Sequence, residues 1–230
     1  MTTLDSMLER NRDFAASQAA AREPMPRALP NVKAVIIGCA DMRVDPAHVL
    51  GIKPGEAVVM RNIGGRVTPG LLEQLGMLGR IGEVVGAVPN GGGAFHLIVL
   101  QHTNCGITYL AGETAMLTRF FQMPETELKT KAVSDPRAAV AADVAILRTI
   151  PALPGEWLVS GLVFDVETGL VEVVVPPARR FGRRVLHKSS ASVFVVSHFT
   201  LIAALFSWAL SVMIQPYSPY RHDVMFHVEH

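Results

Sequence analysis

Two short runs of β-branched and aliphatic residues, Val32-Lys-Ala-Val-Ile-Ile-Gly38 and Phe95-His-Leu-Ile-Val-Leu100, each end in a cluster of polar, metal-capable side chains. Runs of this length and composition form strands that are covered on both faces. Ala57-Val-Val-Met60 is a third such run, and Trp157 to Val175 reads as a strand, a Glu-Thr-Gly turn and a further strand. Helical segments separate them. Leu71, Leu72, Leu75, Met77 and Leu78 recur at helical spacing over Leu71 to Ile81, and Pro136 to Ile150 opens with proline in its first turn and Asp135 as a cap. Leu4 to Ala21 reads as an amphipathic N-terminal helix with Thr3 or Asp5 as its cap, followed by an extended connection at Pro24, Pro26 and Pro30. Strands alternating with helices predict an α/β fold: a mainly parallel central sheet flanked by helices, with an N-terminal helix arm.

In such sheets sites gather beyond the carboxyl ends of the strands. Both polar clusters fall there: Cys39-Ala-Asp41-Met-Arg43 after the first strand, His102-Thr-Asn-Cys105-Gly106 after the third. Two thiolates and one imidazole form a soft-to-borderline set suited to zinc, and three protein ligands leave one tetrahedral position open, as a catalytic site requires. The bland alternative is two buried cysteines acting as small hydrophobes beside a hydrogen-bonded histidine. It fits poorly, because the chain's only two cysteines both stand at strand ends among Asp, Arg and His. Asp41 and Arg43 are two residues apart, so in a looped segment they can lie on one side and pair. An Asp so paired stays ionised and oriented. Beside a metal it could accept a hydrogen bond from a bound hydroxide or bind the metal itself; as a surface ion pair it would be worth little.

Cys-x-Asp-x-Arg followed by His-x-x-Cys-Gly resembles the β-class carbonic anhydrases. Arg61-Asn62-Ile-Gly64 resembles that family's Arg-Asn-Ala-Gly segment, and Gly161-Leu-Val-Phe-Asp165 with Glu167-Thr-Gly169 resembles its last hairpin. The resemblance covers about residues 1–176. It implies that Cys39, His102 and Cys105 bind Zn²⁺, that Asp41 and Arg43 form the catalytic dyad, and that a metal-bound hydroxide converts carbon dioxide to bicarbonate. It also implies a homodimer or larger homo-oligomer, with the substrate pocket at the interface and the N-terminal helix packed on the partner. Two departures stand out. Gly70-Leu-Leu-Glu-Gln replaces the usual Ser-Leu-Glu-Tyr helix start, and Ile107 replaces the usual second glycine after Cys105. They bring the chain closer to a small, divergent branch marked by His-Thr-Asp-Cys-Gly, which also resembles carbonyl sulfide hydrolases. The alternatives carried forward are a hydrolase of such a carbon dioxide analogue and a non-catalytic zinc-binding protein; the intact Asp41–Arg43 pair argues against the latter.

Charge divides the chain. Residues 1–176 carry 15 Lys+Arg against 18 Asp+Glu, so the main body offers no electrostatic reason to bind nucleic acid, whereas residues 177–230 carry 6 against 2. That boundary defines two expected regions, a catalytic domain over 1–176 and a basic then hydrophobic tail over 177–230. In the tail, Arg179, Arg180, Arg183, Arg184 and Lys188 precede Val193–Ile214, in which 17 of 22 residues are apolar. A basic flank before such a run reads as a membrane anchor with the enzyme on the cytoplasmic side. The competing account is a spurious or read-through extension, since five of the eight histidines fall after residue 186 and Met225-Phe-His-Val-Glu-His230 follows no structural pattern. Met1–Arg12 mixes acidic and basic residues without an apolar stretch behind it, and two unpaired cysteines suit a reducing compartment, so the expected location is cytoplasmic. Gly91-Gly-Gly93 reads as a connection rather than a phosphate loop, His48 as a surface or capping residue, and His96 as a packed strand residue.

Overall fold

The computed structural model describes residues 2–21, 32–86 and 93–180. Its elements are α1 (Thr3–Ala21), β1 (Ala34–Cys39), α2 (Pro46–Val49), β2 (Ala57–Asn62), α3 (Pro69–Val84), β3 (His96–His102), α4 (Thr114–Phe121), α5 (Pro136–Thr149), β4 (Leu158–Phe164) and β5 (Val171–Arg179). The strands form one sheet in the order β2-β1-β3-β4-β5. β2, β1, β3 and β4 run parallel, and β5 returns antiparallel to β4 as a hairpin. The fold is therefore the α/β architecture that the alternation of runs and helices predicts. Most of the tail, residues 181–230, together with Gly91 and Gly92, lies outside the described residues. Among those described, no helix is long and apolar enough to cross a membrane.

Period-2 alternation sends successive residues of each strand to opposite faces. Val35 and Ile37 of β1 join Leu97 and Val99 of β3 in one buried cluster, which Leu71 and Leu75 of α3 and Val140, Val144 and Leu147 of α5 cover. Ile36 and Leu100 belong to the other cluster, with Leu117 and Phe121 of α4 and Phe164 of β4. α5 approaches β4 so closely that a Cβ at Gly161 would collide with Val140, which is why that strand position carries glycine. Helix starts follow local chemistry. Thr68 accepts from the Leu71 amide before Pro69, and Asp135 accepts from the amides of Arg137 and Ala138 around Pro136.

One buried polar network stands where the sequence shows only periodic apolar residues. Arg66, fully buried in the connection from β2 to α3, donates through Nε to Asp143 Oδ2 at 2.8 Å; Asp143 on α5 is equally buried. Asp143 also accepts from the Val67 amide at 3.0 Å and from Gln101 Nε2 at 3.4 Å. Lys131 lies 3.8 Å from Asp143, and burial pushes its ammonium down from the ordinary lysine value. Both cations lie over the Phe121 ring, Arg66 at 5.1 Å and Lys131 at 4.9 Å from its centroid. One carboxylate thus anchors the β2–α3 connection, β3 and α5 together. Removing it leaves Arg66 and Lys131 buried without a counter-charge, which costs about 3–5 kcal/mol. Asp143→Ala is therefore expected to lower the urea midpoint by that equivalent at unchanged slope; a midpoint shift under about 1 kcal/mol would show that the network contributes little.

Candidate active site

The strand order reverses around β1: β2 lies on one side and β3 on the other. Such a switch point leaves a crevice at the carboxyl ends. Cys39 is the last residue of β1 and His102 the last of β3, and the register Gly38↔Leu100 sets these ends side by side. The turn after β3 brings Cys105 back, with Asn104 in the left-handed region at φ 52°. The two sulfurs stand 3.7 Å apart, and the sulfurs and a His102 ring nitrogen all lie within 4.8 Å of one another. All three side chains are buried.

The donor chemistry fits a metal ion. His102 Nδ1 sits 2.8 Å from the Thr103 carbonyl and donates to it, the arrangement that leaves Nε2 as the ring nitrogen available to a metal. Nε2 is buried and has no hydrogen-bond partner. A buried polar atom without a partner is costly unless something absent from the chain satisfies it. The hydrogen bond between the sulfurs pulls the Cys39 thiol below its ordinary value, and the same bond, with burial, pushes Cys105 up. A cation bound between the sulfurs would favour both thiolates and displace their protons. Amides of Asp41, at 3.4 Å, and of Gly64 point at Cys39 Sγ. That approach requires glycine at the neighbouring position. Gly65 has φ +63°, and a Cβ there would lie 2.8 Å from the Cys39 nitrogen.

Asp41 and Arg43 stand at the opening of this cluster. Arg43 Nε and Nη2 donate to the two carboxylate oxygens at 3.0 and 2.7 Å, and the Arg43 amide adds a third bond at 2.9 Å. These bonds hold the Asp41 carboxyl well below the usual carboxylate range. Asp41 Oδ2 lies 3.8 Å from His102 Nε2, so the carboxylate borders the donor set. Its side chain is 16% exposed and that of Arg43 is 48% exposed, so the pair reaches solvent. Arg43 Nη2 also donates to the Asn104 carbonyl at 2.9 Å and so ties the first cluster to the second. Behind the sulfurs, Val44, Leu100 and Ile107 belong to the same apolar cluster as Cys39 and Cys105.

All five candidate residues thus meet at one crevice. His48 lies in the last turn of α2 and His96 in β3, away from the three-donor cluster. Sequence reasoning passed over Thr103 and Asn104, the two residues between His102 and Cys105. Thr103 donates its amide to the Phe164 carbonyl at 2.9 Å and accepts from the Val166 amide at 3.0 Å, so the turn between His102 and Cys105 rests on the end of β4 and the turn beyond it. Asn104 offers Nδ2 to Glu167 at 3.5 Å. Their place on a turn between two donors was the available signal.

The carbonic anhydrase family model matches residues 34–171. Beta-carbonic anhydrase 1 of Mycobacterium tuberculosis is 29% identical over 180 residues, covering 76% of this chain and 100% of that one. Carbon disulfide hydrolase of Acidianus sp. is 25% identical over 191 residues, covering 72% and 85%. The crystal structure of carbonic anhydrase from Streptococcus mutans superposes with a TM-score of 0.54 at 27% identity, over 76% of this chain and 98% of that one. The chain belongs to the carbonic anhydrase family, in its β class. Serine oxygen is a harder donor than thiolate and leaves only two soft-to-borderline donors in place. Cys105→Ser is accordingly expected to lose most bound metal, measured by elemental analysis of protein purified with zinc supplied; full occupancy in that variant would remove Cys105 from the site.

Proposed function

We propose that this chain catalyses the reversible hydration of carbon dioxide to bicarbonate with zinc held by Cys39, His102 and Cys105. The observation that carries this reading is the Asp41 carboxylate, ionised and aimed by Arg43, 3.8 Å from His102 Nε2. A purely structural metal site has no use for an oriented anion at its open side. When bound, zinc lowers the pKa of water toward neutrality and so supplies a nucleophile. The chain's own groups do the rest. Arg43 gives two hydrogen bonds to Asp41 Oδ1 and one to Oδ2, which favours Asp41 as a hydrogen-bond acceptor over Asp41 as a ligand. That acceptor fixes the orientation of the attacking water. Val44, Leu100 and Ile107 pack with Cys39 and Cys105 in one buried apolar cluster, surroundings compatible with a small substrate without charge.

Carbon disulfide hydrolases among the relatives favour a second reading on the same residues, hydrolysis of a carbon dioxide analogue such as carbon disulfide or carbonyl sulfide. Stopped-flow hydration with each analogue as competing substrate separates the two. An amide cannot serve as an anionic acceptor. Since loss of orientation of a reacting group costs on the order of 10²-fold, Asp41→Asn is expected to lose on the order of 10²-fold in carbon dioxide hydration while retaining its metal. Unchanged turnover at neutral pH would remove Asp41 from the mechanism.

Assembly and the tail extend this proposal. Leu4, Met7, Leu8 and Phe14 of α1 expose a row of large apolar side chains, and Met42, Ile63 and Tyr109, from three segments at the carboxyl ends of the strands, are exposed as well. Both features support a homodimer or larger homo-oligomer. The free cysteines support a reducing, cytosol-like compartment. Val193–Ile214, outside the described residues, keeps its two readings, anchor or extension. β5 runs three residues past 176, and Arg180 Nη1 donates to the Ile150 carbonyl at 2.9 Å, so a shortened chain must keep residues through 180. Residues 1–180 contain every described strand and all five candidate site residues. They are expected to fold, bind metal and hydrate carbon dioxide at the full-length rate, and only the anchor reading predicts that full-length protein sediments with membranes while 1–180 does not. An insoluble or metal-free 1–180 would contradict both accounts of the tail.

A further inference from the structure

Arg61, the penultimate residue of β2, stands opposite Gly38 in the β1–β2 register. Its guanidinium makes three contacts to one loop. Nε donates to the Cys39 carbonyl at 2.8 Å, Nη2 to the Asp41 carbonyl at 2.7 Å, and Nη1 pairs with Asp45 Oδ2 at 3.1 Å. The other oxygen of Asp45 accepts from the amides of Ala47 and His48 and so caps α2. Beneath the side chain, the Ala40 amide donates to the Asn62 carbonyl at 2.8 Å.

We propose that Arg61 is a positioning residue for catalysis, the clasp that fixes the Cys39–Asp45 loop so that Asp41 faces the three-donor cluster. The inference rests on carbon dioxide hydration as the reaction. Its chemistry is that of a planar fork. A guanidinium presents five N–H donors in fixed directions, and here three of its nitrogens reach the carbonyls on either side of Ala40 and the carboxylate at the start of α2. Arg43 aims the Asp41 side chain and reaches the Asn104 carbonyl on the neighbouring turn, but it belongs to the loop itself and bonds to no strand. Arg61 comes from β2 and can fix that loop against the sheet. None of its bonds goes to a sulfur, to His102 or to the Asp41 carboxylate, so it acts through the backbone rather than on the reacting atoms. Lysine keeps the charge and loses the fork.

The test uses full-length protein with Arg61→Lys and Arg61→Ala. Misplacement of a catalytic group by about 1 Å costs on the order of 10²-fold. Arg61→Lys is expected to lower kcat on the order of 10-fold and Arg61→Ala on the order of 10²-fold. KM and metal content should stay near those of the parent. Added guanidinium should restore part of the kcat of Arg61→Ala and none of that of Asp41→Asn. Amide hydrogen exchange over residues 40–45 reads the positioning without turnover and should quicken in both variants. A kcat for Arg61→Lys within about twofold of the parent, or a loss proportional to lost metal or lost folded protein, would overturn the proposal. So would unchanged exchange in both variants. A parent protein without carbon dioxide hydration sinks the functional reading instead, and the exchange result then decides the positioning role alone.

Discussion

Parallel strands that end side by side deliver their last residues to one volume, and β1 and β3 end with Cys39 and His102. The rest of the site depends on that adjacency. It exists because the chain, having placed β2 on one flank of β1, crosses back to place β3 on the other. Cys105 needs only a three-residue turn to join them. The apolar interior of each strand is what makes the adjacency rigid, because both faces are buried and a slip of one residue would turn every side chain to the wrong face.

Burial of this kind leaves few places for charge, and the structure keeps its interior charges on two different scales. Around Asp143 they are enclosed, and Arg66, Lys131, the Val67 amide, Gln101 and an aromatic ring surround the carboxylate and its cations. Around Asp41 the pair is only partly enclosed, with one carboxylate edge toward the donor cluster and an arginine reaching solvent. The first arrangement fixes the connection from β2 to α3, including the glycine turn beneath Cys39. The second remains accessible to small molecules.

Much of this was legible in the chain because it lies in contiguous signals. The apolar runs, the Pro-and-Asp helix starts and the two polar clusters are each local, and pattern reasoning placed four of the five strands and three helices within a few residues. The strand after the Glu-Thr-Gly turn extends beyond Val175 to Arg179, because Leu158↔Arg179 pairing continues where the apolar pattern stops. α4, only eight residues long, carries too few turns to announce its period. Arg66 and Asp143 were illegible for another reason: they are 77 positions apart, and nothing in either neighbourhood marks it as interior. The geometry of Arg61 was hidden similarly, since its three partners lie 16 to 22 positions away and two of them are backbone carbonyls.

The tie from Thr103 to β4 and the turn beyond it has a consequence for how this chain can vary in length. His102 is oriented by the Thr103 carbonyl, while Thr103 itself is held by the Phe164 carbonyl and the Val166 amide. The imidazole therefore takes its bearing from residues some sixty positions later. Inserting or deleting one residue between Phe164 and Val166 would shift which amide meets the Thr103 hydroxyl, and the ring would lose its reference even though no donor had changed. Surface turns ordinarily absorb such changes freely. This one is dimensioned by the chemistry of a neighbouring strand, so its length belongs to the site as surely as the sulfurs do.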